Sequence, residues 1–338
     1  MGTDVIPYEP YHPHLGYTLF ISMLAWGSIA LYSQYFLGRH PRIRVALYAL
    51  AIALPLGTEA LAYLIFMARP APETPLGYVL THFHAKFIER LPIDSFLSPV
   101  VSELLIVLLA SISLISLVRF VLGTRQLNRA VAHATPLASS TYSPIFSHLL
   151  ATTNMGGRSL PPILVCDFDV PLAFTTGILQ PRIYIASTLL QLLTMDEAVT
   201  VLCHEWAHVM RRDILWNWLV RLLRDMLWFL PGSHLAWHSM LESQDEDCDM
   251  LAATMTHQPL ALARALVKVA GASSHVKLPS MIGATTFALP SSAPRTRVEQ
   301  MIRLYETKAS PGRAAVLGAG MLSLGIVLLA LLPPLLGS

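Results

Sequence analysis

Two histidines four residues apart carry the clearest chemistry in this chain, in the run His204-Glu205-Trp206-Ala207-His208. On an α-helix, positions i and i+4 share a face, so both imidazoles can converge on one metal ion. Neutral imidazole nitrogen suits zinc, which binds it at about 2.0–2.1 Å, tetrahedrally, and in catalytic sites keeps a position for water. Glu205, beside the first histidine, can reach that water and take its proton. The metal lowers the water's pKa towards ~7, and the resulting hydroxide can attack a polarised peptide carbonyl. Such a site needs a third protein ligand, commonly a carboxylate from a second helix. Glu242, Asp245, Glu246 and Asp249 offer one, sharing a helical face through spacings of three and four. Four acids on one face repel each other unless a cation or water sits among them.

These side chains need elements to hold them. Thr194 with Glu197 three residues on is a capping box, and it opens the histidine helix, which runs to about Arg211. Pro231-Gly232 breaks the chain, and Ser233 is expected to cap the acidic helix, which reaches about Thr254. Further helices are expected at 124–135, 141–152, 258–271 and 296–305. A β-branched run flanked by prolines predicts a buried strand at 163–167, and 173–177 with 182–186 read as a hairpin about a Gly/Pro turn. Residues 154–162 and 272–294 read as loops. No internal repeat is present, and this part of the chain reads as an α+β domain dominated by helices.

The rest of the chain reads differently. Of 338 residues, 54% are apolar and only 13% charged, about half the charge of a soluble domain. Mean hydropathy is +0.54. The composition excludes intrinsic disorder, and a net charge of +2 leaves no basic stripe for nucleic acid. Three scattered cysteines cannot build a disulfide framework and suit a reducing compartment. Four stretches are long and apolar enough for spanning helices, which need about 20 such residues: 16–38, 45–68, 100–118 and 314–332. Glu59 and Glu103 are the charges inside the second and third. Each is either a functional carboxylate or a protonated one hydrogen-bonded between helices. Arg39, Arg42 and Arg44 in the first connection, Arg119, Arg125 and Arg129 after the third span, and Lys308 and Arg313 before the fourth all point to the cytosolic side.

The expected organisation is three spans with an outer loop 69–99 in residues 1–123, a cytosolic domain 124–313, and a fourth span in 314–338. Both termini then lie outside the cell (plasma or inner) membrane. Residues 214–230 are apolar but carry a polar stripe of Asp213, Asn217, Arg221, Arg224 and Asp225. Three readings stay open for them: lying along the inner membrane face, packing within the domain, or spanning. The fold class is thus a mostly α membrane protein with four transmembrane helices and a cytosolic α+β domain holding a small β-hairpin.

His204 to Asp213 (HEWAHVMRRD), preceded by Pro181-Arg182-Ile183-Tyr184-Ile185 and followed by an acid-x-x-Cys-Asp stretch, resembles the zinc metalloproteases of the beta-lactam-sensing signal transducers. It is also similar to membrane proteases that process prenylated proteins or degrade damaged membrane proteins. The resemblance covers roughly residues 160–255 and extends weakly to 297–304. It implies Zn2+ held by His204 and His208, with Glu205 as general base, Asp249 orienting a ligand histidine, and Asp213 supporting that role. It also implies that Phe174, Thr175, Thr176 and Gly177 form an edge strand onto which an extended substrate adds. The family's third ligand is a glutamate three residues before the cysteine. Here Asp245 stands in that position, one methylene shorter, with Glu246 as the fallback and Glu242 further behind.

The function expected is a membrane-anchored zinc endopeptidase cutting a cytosolic or membrane-proximal protein, such as a repressor in a signalling circuit. Its partners would be a protein or peptide substrate and the lipid bilayer, with no nucleic acid. With so little chain after the fourth span, a signal is expected through the outer loop, the spans or a membrane partner. Quality control of membrane proteins and prenyl-peptide processing are alternatives within the same chemistry. A non-catalytic receptor with a decayed site is a third reading, motivated by the aspartate and opposed by the intact His204, Glu205 and His208.

Overall fold

The computed structural model describes residues 15–36, 41–67, 99–153, 159–273, 284–286 and 294–306, with 321 and 325. Nearly all of the expected outer loop and most of the fourth span lie outside the described residues, and so do the side chains of Glu59 and Glu103. Three long helices come first: α1 (Leu15–Phe36), α2 (Pro41–Met67) and α3 (Pro99–Ala130). The third span and the separate helix expected at 124–135 are one continuous helix. Thr124 donates its hydroxyl back to the Phe120 carbonyl at 2.9 Å, which keeps it inside the helix instead of capping a new one. Among the described residues, no helix is long and apolar enough to cross a membrane.

A mixed α+β unit follows. Its strands are β1 (Thr135–Pro136), β2 (Ile163–Cys166), β3 (Ala173–Thr176), β4 (Arg182–Ala186) and β5 (Ala284–Thr286), in the sheet order β1-β2-β4-β3-β5. Strands β2 and β4 run parallel, and every other neighbouring pair is antiparallel. The expected hairpin is the β3–β4 pair. Gly177 leaves β3 at φ +96, and a Cβ there would stand 2.4 Å from the Gln180 carbonyl oxygen, so only glycine fits this turn. The expected edge strand is corrected here. Strand β3 is internal, because β5 pairs with its other side through Phe174↔Thr286, Thr175↔Thr285 and Thr176↔Ala284. Three residues of the Ser/Pro/Ala-rich stretch supply that pairing, a run too short to announce itself by alternation.

The helices of this unit are α4 (Ser143–Thr152), α5 (Ser187–Leu192), α6 (Met195–Arg211), α7 (Asp213–Met226), α8 (Pro231–Thr256), α9 (Pro259–Ser273) and α10 (Pro294–Glu306). Ser233 does not cap α8: Leu230 is the N-cap, Pro231 takes the first helical position, and the Ser233 hydroxyl donates to the carbonyls of Leu227 and Leu230. Proline is preorganised for that first position, so the helix starts earlier than the serine.

Two apolar clusters hold the chain together. One joins the sheet to α6, α8 and α9 through Phe174, Ile183, Ile185, Leu202, Trp206, Ala252 and Leu262. The other joins Ala25 and Ile29 of α1 and Leu47 to Leu54 of α2 to Val220 of α7 and Ala236, Trp237 and Met240 of α8. Helix α7, at 14 residues, is about 21 Å long against roughly 30 Å of hydrocarbon, too short to span by itself. It packs against α2 and α3, with Val220 in the second cluster, while Trp216 stays exposed.

Candidate active site

Helix α6 is positioned at both ends by local chemistry. At its start the Thr194 hydroxyl accepts from the Glu197 amide, and the Glu197 carboxylate accepts from the Thr194 amide at 2.9 Å, a complete capping box. Lys268 of α9 donates to the buried Glu197 at 2.6 Å, which ties the cap to a neighbouring helix. At its end Arg212 adopts φ 57, the left-handed conformation that closes helices, and its amide bonds back to His208 and Val209. The sharp turn places Asp213, the first residue of α7, under His208.

Each histidine is held by its Nδ1. His204 Nδ1 lies 2.8 Å from Asp249 Oδ1, and His208 Nδ1 lies 2.8 Å from Asp213 Oδ2, all four side chains being buried. With Nδ1–H donated to a carboxylate, the Nε2 lone pair is left for a metal. The two Nε2 atoms stand 3.2 Å apart, and Asp245 Oδ1 stands 3.7 Å from that of His208. Two tetrahedral ligands of a common zinc ion are separated by about 3.3 Å, so both distances suit the ion. His204, His208 and Asp245 offer ligand atoms within 4.8 Å of one another, and two imidazoles with one carboxylate are a donor set zinc accepts. Glu246 is turned elsewhere, its carboxylate on the Arg44 guanidinium.

Glu205 is fully buried, and burial raises its carboxyl from the ordinary range to about 7. Thr175 donates to Oε2 at 2.7 Å, while Oε1 has no hydrogen-bond partner among the described residues. One oxygen is thus fixed by the sheet and the other is left to accept a proton. Asp249 is held by two bonds from Arg297 of α10, Nε to Oδ2 and Nη2 to Oδ1, both 2.7 Å. Burial works against its charge, but Arg297 and His204 together outweigh it and keep the carboxyl down at about 2.

Residues 51–296 match the family described as BlaR1 peptidase M56. The chain belongs to that family. It is the family that the histidine motif and its flanks resemble. The chain is also similar to a "Protease HtpX homolog" of Syntrophobacter fumaroxidans, 29% identical over 49% of this chain and 61% of that protein. A "Protease HtpX homolog 2" of Saccharolobus solfataricus is 27% identical over 40% of this chain and 42% of its own length. The chain therefore spans about three-fifths and two-fifths of these relatives. The crystal structure of S. mikatae Ste24p aligns with 73% of this chain and 64% of its own, at 17% identity and a TM-score of 0.38.

The structure brings His204, His208, Asp245, Glu205, Asp249 and Asp213 together. Thr175 also joins them, through a bond to Glu205 and not as a strand edge. Phe174 is wholly buried, stacked on Tyr184 with ring centroids 5.2 Å apart, and Thr176 is buried as well, so neither is free to meet a substrate. His238 is exposed and His234 bonds to the Trp228 carbonyl just past α7; neither belongs to the group formed by His204, His208 and Asp245. Burial pushes the thiols of Cys166 and Cys203 up to about 12 and that of Cys248 to about 11, so all three stay protonated at neutral pH. Cys248 Sγ sits 3.4 Å from His208 Nδ1, beside Asp213 and on the ring edge that faces away from Nε2. Two residues at the site escaped the sequence reading in these roles, Thr175 as a brace for Glu205 and Arg297 as the partner of Asp249.

Proposed function

We propose that this chain is a membrane-anchored zinc endopeptidase in which His204, His208 and Asp245 hold the ion and Glu205 is the general base. The observation that carries the reading is the pair of carboxylate-held imidazoles whose Nε2 atoms face each other beside Asp245, next to a buried carboxylate with one oxygen free. Zinc, when bound, supplies an acidified water and polarises the scissile carbonyl. Glu205, with Oε2 held by Thr175 and Oε1 open, would be the group that accepts a proton from the attacking water and hands it to the leaving amine. Thr175 keeps the carboxylate aimed, and Asp249 and Asp213 keep both histidines in the tautomer that leaves Nε2 unprotonated.

The apolar stretches 16–38, 45–68, 100–118 and 314–332 anchor the enzyme with both termini outside and residues 124–313 in the cytosol, as the arginine-rich connections require. Its substrate is a cytosolic or membrane-proximal protein, a repressor in a signalling circuit being the form suggested by the family. Membrane-protein quality control is the second reading, favoured by the similarity to proteins named as HtpX proteases.

Zinc content and proteolysis of the detergent-purified chain, compared with Glu205→Gln, test the chemistry. The expected result is zinc retained and cleavage reduced by about 10²–10⁴-fold. Equal cleavage by both proteins would overturn it. Challenge with a winged-helix repressor and with an unfolded membrane protein separates the two biologies by which of them is cut.

A further inference from the structure

We propose that Arg42 and Arg44, in the first turn of α2, are positioning residues for the metal centre, joining the α1–α2 hairpin to two of its ligands. The inference rests on the metal-site reading above and concerns how that site is held and adjusted. In sequence these arginines stand 160 residues or more before the histidines, at the junction whose positive charge sets membrane orientation in the proposed topology. In the fold they reach the helix that carries Asp245.

Two threads start there. Arg44 pairs with Glu246, the residue next to Asp245, and both side chains are largely buried, at 15% and 11% exposure. Arg42 Nε donates to Asp247 Oδ2 at 3.0 Å. Asp247 is also paired with Arg211, Arg211 Nε donates to Asp213 Oδ1 at 3.1 Å, and Asp213 Oδ2 holds His208 Nδ1 at 2.8 Å. Charges alternate along the second thread without a break, from α2 to a histidine that faces the metal.

The pairs also divide the acids of α8 between two tasks. Residues 245–247 are consecutive carboxylates, and consecutive positions on a helix point about 100° apart. Arginines take Glu246 and Asp247, while Asp245 is the one that stands with His204 and His208. Removing Arg44 would leave Glu246 buried without its cation, and the least costly relief is rotation or displacement of α8 toward solvent or toward the metal. Either movement carries Asp245 with it.

Behind the ion pairs the two helices run antiparallel. Arg42 and Arg44 meet Asp247 and Glu246, while residues from Leu47 to Leu54 share an apolar cluster with Met240, Trp237 and Ala236. A shift of the α1–α2 hairpin is therefore delivered to α8 as a rigid-body motion, and the arginines are the points where it meets the site. Helix α2 becomes the route by which an event at the membrane changes metal geometry.

The full-length chain in detergent tests this, with zinc affinity read by competition against a chromophoric chelator and ligand geometry by the visible spectrum of the Co2+-substituted protein. Arg44→Ala is expected to weaken zinc about tenfold and to alter the Co2+ bands. Arg42→Ala, whose side chain is 65% exposed, is expected to cost about threefold. Arg44→Glu combined with Glu246→Arg should return affinity to within about threefold of the parent, which loss of general stability would not do. Unchanged affinity and spectrum in both single variants would overturn the inference while leaving the metal site standing. So would a lower melting temperature of the metal-free protein with no recovery in the exchanged pair. If Arg44→Ala does not fold, Arg42→Ala and Arg42→Glu decide by the same two readings, with reversal of charge expected to weaken zinc more than truncation. A parent chain that takes up no zinc at all would sink the metal-site reading first and this inference with it.

Discussion

The half of the molecule around α6 and its long N-terminal helices solve opposite problems. Around α6, charge is inside: His204, Glu205, His208, Asp213, Asp249 and Arg297 are all at most 3% exposed, and the carboxylates among them each have a donor. Along α1 and α3, apolar surface is outside, with Leu31, Leu104, Val107 and Leu114 at 60% or more. Water as the sole solvent would penalise both arrangements. Burying the charges is tolerable only because each has a geometrically good partner, and the exposed leucines are at home only against hydrocarbon or another protein. One region is organised by pairing within the chain, the other by what surrounds it.

The buried charges depend most heavily on Arg297. Replacing it by Met leaves Asp249 buried without a cation, and the expected loss is about 3–5 kcal/mol of stability, read by denaturation in detergent. A change within 0.5 kcal/mol would mean that Asp249 is not held as described. The long helices should respond to the reverse manipulation. Val107→Arg puts a charge on the exposed face of α3; under the proposed topology this falls in the third span, and an insertion penalty of about 2.5–3.5 kcal/mol is expected in a microsomal glycosylation assay. Unimpaired insertion would argue against a lipid-facing α3.

Smaller effects sharpen the picture inside the site. Thr175→Val removes the donor to Glu205 Oε2 and should lower the rate about tenfold, a loss of about 1.4 kcal/mol, with zinc content unchanged. The cap of α6 gives the smallest signal and a pH dependence. Burial opposes the charge on Glu197, but Lys268 and the Thr194 cap together outweigh it and the carboxyl stays below its ordinary value of 4.5. A depressed folded value means that the stabilisation is present above about pH 4.5 and disappears as pH falls through the folded value. Lys268→Met should therefore flatten the acid limb of the stability curve. Because Lys268 is partly exposed, the loss at neutral pH should stay under about 1 kcal/mol. An acid limb identical to the parent's would assign the stabilisation elsewhere.

How much could be read in advance depends on the range of the interaction. The capping box at Thr194, the pairing of the histidines on one face and the strands at 163–166, 173–176 and 182–186 all rest on contacts within a few residues, and they appear as expected. Strand β5 was invisible because three residues have no usable period; it places Thr175 inside the sheet, where the Thr175 hydroxyl is bonded to Glu205. Thr124 shows the same limit in a helix, since a threonine that could cap one instead bonds back within it.

The linear order of residues, with no further information, determined the zinc-type motif, its capped helix and the contrast between apolar stretches and a charged domain, because helical spacing and hydropathy are local properties. Tertiary structure decided which acid stands with His204 and His208. Asp245 and Glu246 are neighbours of nearly equal chemistry, and what separates them is Arg44, 202 residues from Glu246. It likewise decided that Arg297 serves Asp249 across 48 residues. Pairings at such separations depend on how helices pack, and packing direction is a collective property of the fold that no window of the chain contains.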